Sequence, residues 1–409
     1  MTEKSKVSFR AAPIFLIILT TMSCTSSPPS PQGSIPDTPA RSAAPPGQVS
    51  AEEPSDYSYE ARGRVLTWQD GKKAACSLTF DDGTRDQYAV AAPILDTYAA
   101  RGTFFLITGF REEGVWIDGT DSRLLFSWDQ SVLLSQQGHE IGSHGVEHLD
   151  LRELDTDEDN ALIRRELGDS ILEIRRRIPA EFLPSEGGMT FCWPYWRTNS
   201  GLVKEAENYY LAARTGRGVL SGSVVRNPFE IHSVMVMSTD SFPAWVRKLE
   251  MSGELRGWIV FSFHGFYEEL KKTDPSGWQP VSARKLEALL SHLRDNSFWV
   301  APFGEVFRYA VERRSAELVF EEITDAGIVF SLEDGLQDDI YSQPLSVEIF
   351  PPAGMAIETA RNEDGSTLSL DLQDDGWIRL DVLPDGSRIS LLTAMLTATS
   401  PAAKAAQPE

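Results

Sequence analysis

Two adjacent carboxylates close an apolar run at Leu78-Thr79-Phe80-Asp81-Asp82-Gly83, and farther on two histidines close another at His144-Gly145-Val146-Glu147-His148. Asp82, His144 and His148 together make a facial trio of oxygen and nitrogen donors for a divalent metal, with positions left for water and substrate. Asp81 then stands beside the ion as a spare carboxylate, where a base must be to take a proton from water. His264 ends a third apolar run, Trp258 to Phe263. Its intrinsic pKa near neutrality suits a general acid. Tyr195 follows Pro194 at another strand end and can turn its backbone N–H toward an oxyanion. Trp193, Trp196 and Trp278 fit a core, but lying near this polar rim they also suit stacking on sugar rings. Arg214 and Arg217 follow the run Tyr209–Ala213 and reach the same rim from that side. His139, His232 and His292 read as structural. A metalloprotease HExxH is ruled out, because Ser143 stands where the second histidine would be required.

These groups need elements to position them. Ala74–Phe80, Gly102–Ile107, Glu140–Ser143, Thr190–Trp193, Tyr209–Ala213 and Trp258–Phe263 are short apolar runs of the buried-strand kind. Helical patterns separate them: Gln87–Ala100, Trp128–Gln137 with Gly138 as its cap, and a long charged amphipathic stretch from Thr156 to Arg177. Strands alternating with helices predict a parallel sheet with crossovers, closed or nearly closed as a barrel. Asp81, Asp82, His144, Tyr195 and His264 then all fall at C-terminal strand ends, the rim where such barrels build their sites.

The chain is 409 residues long, which favours two folded units, and its 41% hydrophobic content is enough for real cores. A net charge of -22 argues against a nucleic-acid partner, which would require a basic face. Lys4, Lys6 and Arg10 precede a short apolar stretch, Ala11 to Met22, that is followed by Ser23-Cys24. This reads as a signal peptide over residues 1–23, with Cys24 placed for lipidation. The expected address is therefore the cell envelope, with a lipid anchor to a bacterial membrane and no spanning helix. Residues 24–60 are rich in Pro, Ser and Ala and read as a flexible linker. Of the three cysteines, Cys76 and Cys192 sit inside apolar runs and read as buried free thiols.

The barrel is expected over 61–314. Beyond it, alternating runs punctuated by Asp-Gly pairs predict antiparallel strands over 315–396, a small β-sandwich, before a tail over 397–409. Leu345–Ile349, Leu368–Leu372 and Trp377–Val382 carry the alternation most clearly.

Thr79–Gly83, Gly138–His148, Pro194-Tyr195 and Ser262-Phe263-His264 follow one another in the order and spacing of the polysaccharide deacetylase family (NodB homology domain, carbohydrate esterase family 4). The resemblance runs from about Leu66 to Arg313. It implies a distorted (β/α) barrel that hydrolyses acetyl groups from a polysaccharide, with Asp81 as base and His264 as acid. It further implies a divalent metal, commonly Zn2+, on Asp82, His144 and His148, and an oxyanion contact from the Tyr195 amide. Three places depart from the family pattern, one of them the later acidic motif, which is blurred in Ser238-Thr239-Asp240-Ser241-Phe242. Trp193 stands where an arginine usually orients the base, and Arg214 is the candidate to replace it. Gly145 stands where a serine or threonine usually braces the histidine loop. Two other readings are compatible with these residues: hydrolysis of other C–N bonds on the same fold, and a non-catalytic glycan-binding lipoprotein.

Overall fold

The structure is a computed structural model that describes residues 60–393, apart from 113, 119–120, 155–157, 217–221 and 269–276. All of these belong to one compact unit, Tyr57–Glu409. The expected signal peptide, Cys24, nearly all of the linker, Arg217 and the 397–409 tail lie outside the described residues.

The parallel sheet is built as the alternation predicts. Its strand order is Ala212–Arg214, Thr190–Cys192, Glu140–Ser143, Thr103–Leu106, Ala74–Phe80, Trp258–Phe263 and Val234–Met235, with Phe298–Val300 also paired to Ala74–Phe80. Arg214, on the first strand of this order, makes a parallel bridge to Ile231, just ahead of the last strand, so the sheet curls into a distorted barrel. Side chains alternate across it, as a pleated strand requires. Ala74, Cys76, Leu78 and Phe80 pack outward among the helices, whereas Ala75 and, on the next strand, Trp258 and Val260 belong to an inner cluster. Room inside is scarce. A Cβ at Gly142 would lie 2.6 Å from the Phe105 ring, so only glycine fits between those strands.

The N-terminal end of the barrel is closed by the helix Phe303–Ser315. Glu140, the first residue of its strand, accepts a hydrogen bond from Gly304 N at 2.8 Å, and Thr103 Oγ1 accepts one from Phe303 N at 2.7 Å. A carboxylate at a helix N-terminus complements the unpaired N–H groups there. With this end sealed, the site-type residues gather at the opposite one. The long helix expected over 156–177 is present as Asn160–Arg164, a π turn Arg165–Asp169, and Ser170–Arg177.

The C-terminal strands form two antiparallel sheets. One runs Glu317–Thr324, Gly327–Glu333, Asp385–Thr393, Ile357–Arg361, Thr367–Leu368; the other runs Arg62–Val65, Leu345–Phe350, Ile378–Val382, Asp371–Leu372. Arg62–Val65, at the start of the segment expected to be barrel, thus pairs with the C-terminal strands. The run 368–372, expected as one strand, is divided between the two sheets. Ile328, Phe330, Val347, Ile349 and Leu391 share one apolar cluster with Phe303 and Phe307 of the closing helix, so barrel and sandwich have a continuous core. Cys76 and Cys192 are free and buried. Among the described residues no helix is long and apolar enough to cross a membrane.

Candidate active site

Asp81 leaves the Ala74–Phe80 strand with its N–H on Phe263 O at 2.9 Å, which keeps it in line with the strand that ends at His264. The next residue breaks the line: Asp82 has φ 74°, in the left-handed region that non-glycine residues rarely adopt. Gly83 follows, also at positive φ, and a Cβ there would collide with the Arg111 guanidinium. Buried Arg111 donates to Asp82 O at 3.3 Å and to Phe126 O at 2.5 Å, holding the turn in place. His148, Tyr195 and Trp196 have positive φ as well, at 60°, 54° and 59°. Such strain clusters where a fold must aim particular side chains, and these four residues line a single pocket.

That pocket has a volume of about 310 Å3. Asp82 Oδ1 lies 3.6 Å from His144 Nε2 and 3.7 Å from His148 Nε2. Those separations are too long for hydrogen bonds. They approach the spacing of about 3.3–3.5 Å between donors that share a tetrahedral ion at about 2.0–2.2 Å. His144 Nδ1 lies 2.8 Å from Cys192 O; a carbonyl only accepts, so Nδ1 carries the proton and Nε2 presents its lone pair. Burial lowers the pKa of His144 to about 4 and of His148 to about 3, so both are neutral near pH 7, the form in which imidazole binds a cation. The chemistry of the donor set and its convergence therefore fit a divalent metal. A second trio, Asp81, His144 and Cys192, is also close together. It does not fit, because the Arg214 guanidinium already occupies it, 2.7 Å from Cys192 Sγ and 2.5 Å from the Asp81 carboxylate.

Asp81 is fully buried, and burial raises its pKa; the Arg214 guanidinium, together with His264 and His144, more than offsets this, so the carboxyl is held below its usual range. Opposite Arg214, His264 Nε2 lies 3.4 Å from Asp81 Oδ2. Gln87 Nε2 donates to both Asp81 O and His264 O, tying the two strand ends together. The His264 ring meets Trp278 edge-on at 5.1 Å and Trp196 at 6.0 Å. Tyr195 is 43% exposed at the mouth, its ring 4.7 Å from that of His148.

Asp81, Asp82, His144, His148, Tyr195, Trp196, His264 and Trp278 are thus brought together, and two expected substrate-binding residues are not. Trp193 is fully buried, with its indole N–H on Phe229 O at 2.8 Å and its ring against Phe191. Strand alternation explains the correction: Phe191 and Trp193 point outward into the helical layer, while Cys192 points inward. Arg214 is fully buried too and faces Asp81 inside the barrel, outside the pocket lining. The sequence reading passed over Trp116 and Arg123, which line the pocket from the hairpin Val115–Asp118/Asp121–Leu124. It also passed over Glu166, whose buried carboxylate accepts from Val146 N at 2.9 Å and Glu147 N at 3.0 Å. This carboxylate braces the histidine loop, and it accounts for Gly145: a Cβ there would lie 2.8 Å from Glu166 Oε2. A larger open groove of about 1000 Å3 runs beside Asn160–Arg175 but contains none of these residues. Two of its arginines are spent on ion pairs, Arg164 with Glu205 and Arg165 with Glu147.

Residues 69–212 match the polysaccharide deacetylase family. The deacetylase-like segment contains Asp81, Asp82, His144, His148 and Tyr195; Arg214 and His264 lie beyond it. Gellan lyase from a Bacillus species is 25% identical over 329 residues, which cover 72% of this chain and 12% of that protein. The Bacillus subtilis (strain 168) protein YxkH, named for polysaccharide deacetylase, is 24% identical over 192 residues, covering 46% of this chain and 61% of its own length. The chain therefore spans less than two thirds of either relative. Among solved structures, the Xyl-CE4 domain of a multidomain xylanase from the hindgut metagenome of Trinervitermes trinervoides is 16% identical with a TM-score of 0.37, over 57% of this chain and 89% of that one.

Proposed function

We propose that this protein is a metal-dependent hydrolase that removes acetyl groups from a polysaccharide. One observation carries the reading: a neutral imidazole pair and Asp82 converge on one point while Asp81, paired to a buried arginine, stands beside them and opposite His264. Asp82, His144 and His148 would hold the ion, with Zn2+ the ion this donor set suits, and it would supply Lewis acidity toward the acetyl carbonyl and toward water. Arg214 keeps Asp81 ionised and fixes its carboxylate, so that Asp81 is ready to accept the proton of the attacking water. His264 sits on the far side of Asp81 and donates a proton to the departing nitrogen or oxygen of the sugar. The Tyr195 N–H, on its strained turn, stabilises the oxygen that gains charge. Trp196, Trp278 and the exposed Tyr195 ring offer apolar faces at the mouth to a sugar.

The arginine missing at Trp193 was the reason to consider other C–N bonds, and Arg214 supplies that guanidinium from the neighbouring strand. The test is acetate release from a panel of N- and O-acetylated polysaccharides, with metal stripped and restored. Release that disappears with chelator, returns with Zn2+ and is absent in Asp81→Asn is expected. Glycan binding without acetate release would leave only a binding protein. The proposed location is the envelope, by lipidation of Cys24; an intact-mass measurement of the mature chain with no diacylglycerol increment there would remove that part.

A further inference from the structure

The hairpin Val115–Asp118/Asp121–Leu124 has no part in the reaction as described so far, yet it touches two of the three metal-binding residues. Trp116 and Arg123 are directly paired across its strands, with the guanidinium 5.0 Å above the indole. Trp116 meets the His148 ring edge-on at 4.8 Å. Arg123 Nη1 donates to Asp82 Oδ2 at 3.1 Å, and its side chain is only 11% exposed. The hairpin is itself fixed, since Ile107, Trp116 and Leu125 form a small apolar cluster and Leu125 bridges to Thr84.

The two oxygens of Asp82 therefore have separate surroundings. Oδ2 takes the Arg123 N–H, while Oδ1 faces both imidazole Nε2 atoms. We propose that Arg123 is a positioning residue for the metal: by holding Oδ2 it makes Asp82 a one-oxygen ligand and aims Oδ1 at the point where the histidines converge. The inference rests on the metal-site reading above and adds to it the hairpin that sets how the carboxylate binds. Outer hydrogen bonds of this kind orient metal ligands, and losing one typically weakens metal binding about 10–100-fold.

The competing effect has the opposite sign. A guanidinium close to a cation repels it, so if Arg123 acted through its charge alone, removing it would tighten binding. The experiment uses the full chain, stripped of metal, with Zn2+ affinity read by competition with a chromophoric chelator and ligand geometry read from the visible spectrum of added Co2+. For Arg123→Ala the Zn2+ Kd rises about 10–100-fold. The Co2+ bands also change in intensity as Asp82 is freed to bind through both oxygens. Arg123→Lys retains the positive charge without the planar fork, so its affinity falls between the two. It also serves if the alanine variant does not fold, because weakening with the charge retained can come only from lost geometry. An unchanged or tighter Kd in Arg123→Ala, or an Arg123→Lys chain equal to the unmutated one in affinity and spectrum, overturns the proposal. Failure of the unmutated chain to take up Zn2+ or Co2+ at all overturns the metal-site reading itself.

Discussion

Arg214 and Asp81, 133 residues apart, meet inside the barrel with Arg214 Nη2 2.5 Å from both carboxylate oxygens. Neither side chain is exposed beyond 1%. The guanidinium is also anchored from behind, by Nη1 on Ser233 Oγ at 2.7 Å. A buried ion pair with this geometry is strongly coupled, because taking away one partner leaves the other charge stranded.

The first prediction follows from that coupling. Without Arg214, burial of Asp81 loses its largest counterweight and its pKa moves upward. Arg214→Ala is expected to lower kcat/KM by about 10²-fold or more, the lower end of what a positioned general base contributes. The acid limb of the pH–rate profile moves to higher pH, because the carboxylate form is then reached only there. Arg214→Lys, which retains charge but not the fork, recovers part of the rate. Unaltered turnover in Arg214→Ala would remove Arg214 from the role of holding the base.

A second prediction concerns the loop between the histidines. Glu166 accepts two backbone N–H groups there, and Gly145 at φ 85° leaves the space its carboxylate fills. Glu166→Ala is expected to lower Zn2+ affinity about 10–100-fold, as loss of a ligand's support does. Gly145→Ala both forces a side chain into the left-handed region and pushes on Glu166, so it behaves in the same way. Equal Zn2+ titrations for all three chains would show that the loop holds its shape unaided.

The aromatic mouth gives a third. Trp278 and Trp196 are half-buried, each edge-on to His264 and 6.3 Å from one another. If their faces receive the sugar, Trp278→Ala raises KM for the polymer by an amount set by a contact of about 0.5–1.5 kcal/mol, roughly 2–12-fold. It leaves KM for a small acetyl ester nearly unchanged. A fall in kcat with both substrates and no change in either KM would assign Trp278 to orienting His264 instead.

The alternation of strands and helices, and the placing of acid and imidazole groups at strand ends, were legible because side-chain periodicity and chain order carry them. What escaped was decided by long-range contact. Trp193 looked like a rim residue, but one step of strand parity turns it outward into the helices. Glu166 lies in the middle of a charged amphipathic helix and has no local mark that separates it from its solvated neighbours. Arg123 reaches Asp82 from an antiparallel hairpin inserted into the parallel barrel, and no spacing in the chain announces that meeting. Arg214 was found as a candidate from its place after the Tyr209–Ala213 run and from an arginine missing elsewhere; its burial, and hence its action through Asp81 instead of on substrate, required the closed sheet.

The last prediction concerns the joint between barrel and sandwich. Glu312, on the closing helix, is buried and accepts from Gln343 N at 2.8 Å, while its Oε2 has no hydrogen-bond partner among the described residues. Burial, with Asp334 nearby, pushes its pKa up to about 8. In the unfolded chain a glutamate titrates near ~4.3. Between the two values the native protein binds a proton that the unfolded chain has released, so the slope of stability with pH is negative there. The contribution of Glu312 is therefore complete at low pH, declines as pH rises toward 8, and is constant above. Glu312→Gln presents a neutral group of the same shape at every pH. The difference in Tm between this variant and the unmutated chain should grow in favour of the variant from pH 5 to pH 8 and then level off. A difference that stays flat across that range would mean that Glu312 is ionised in the folded protein and has found a counter-charge.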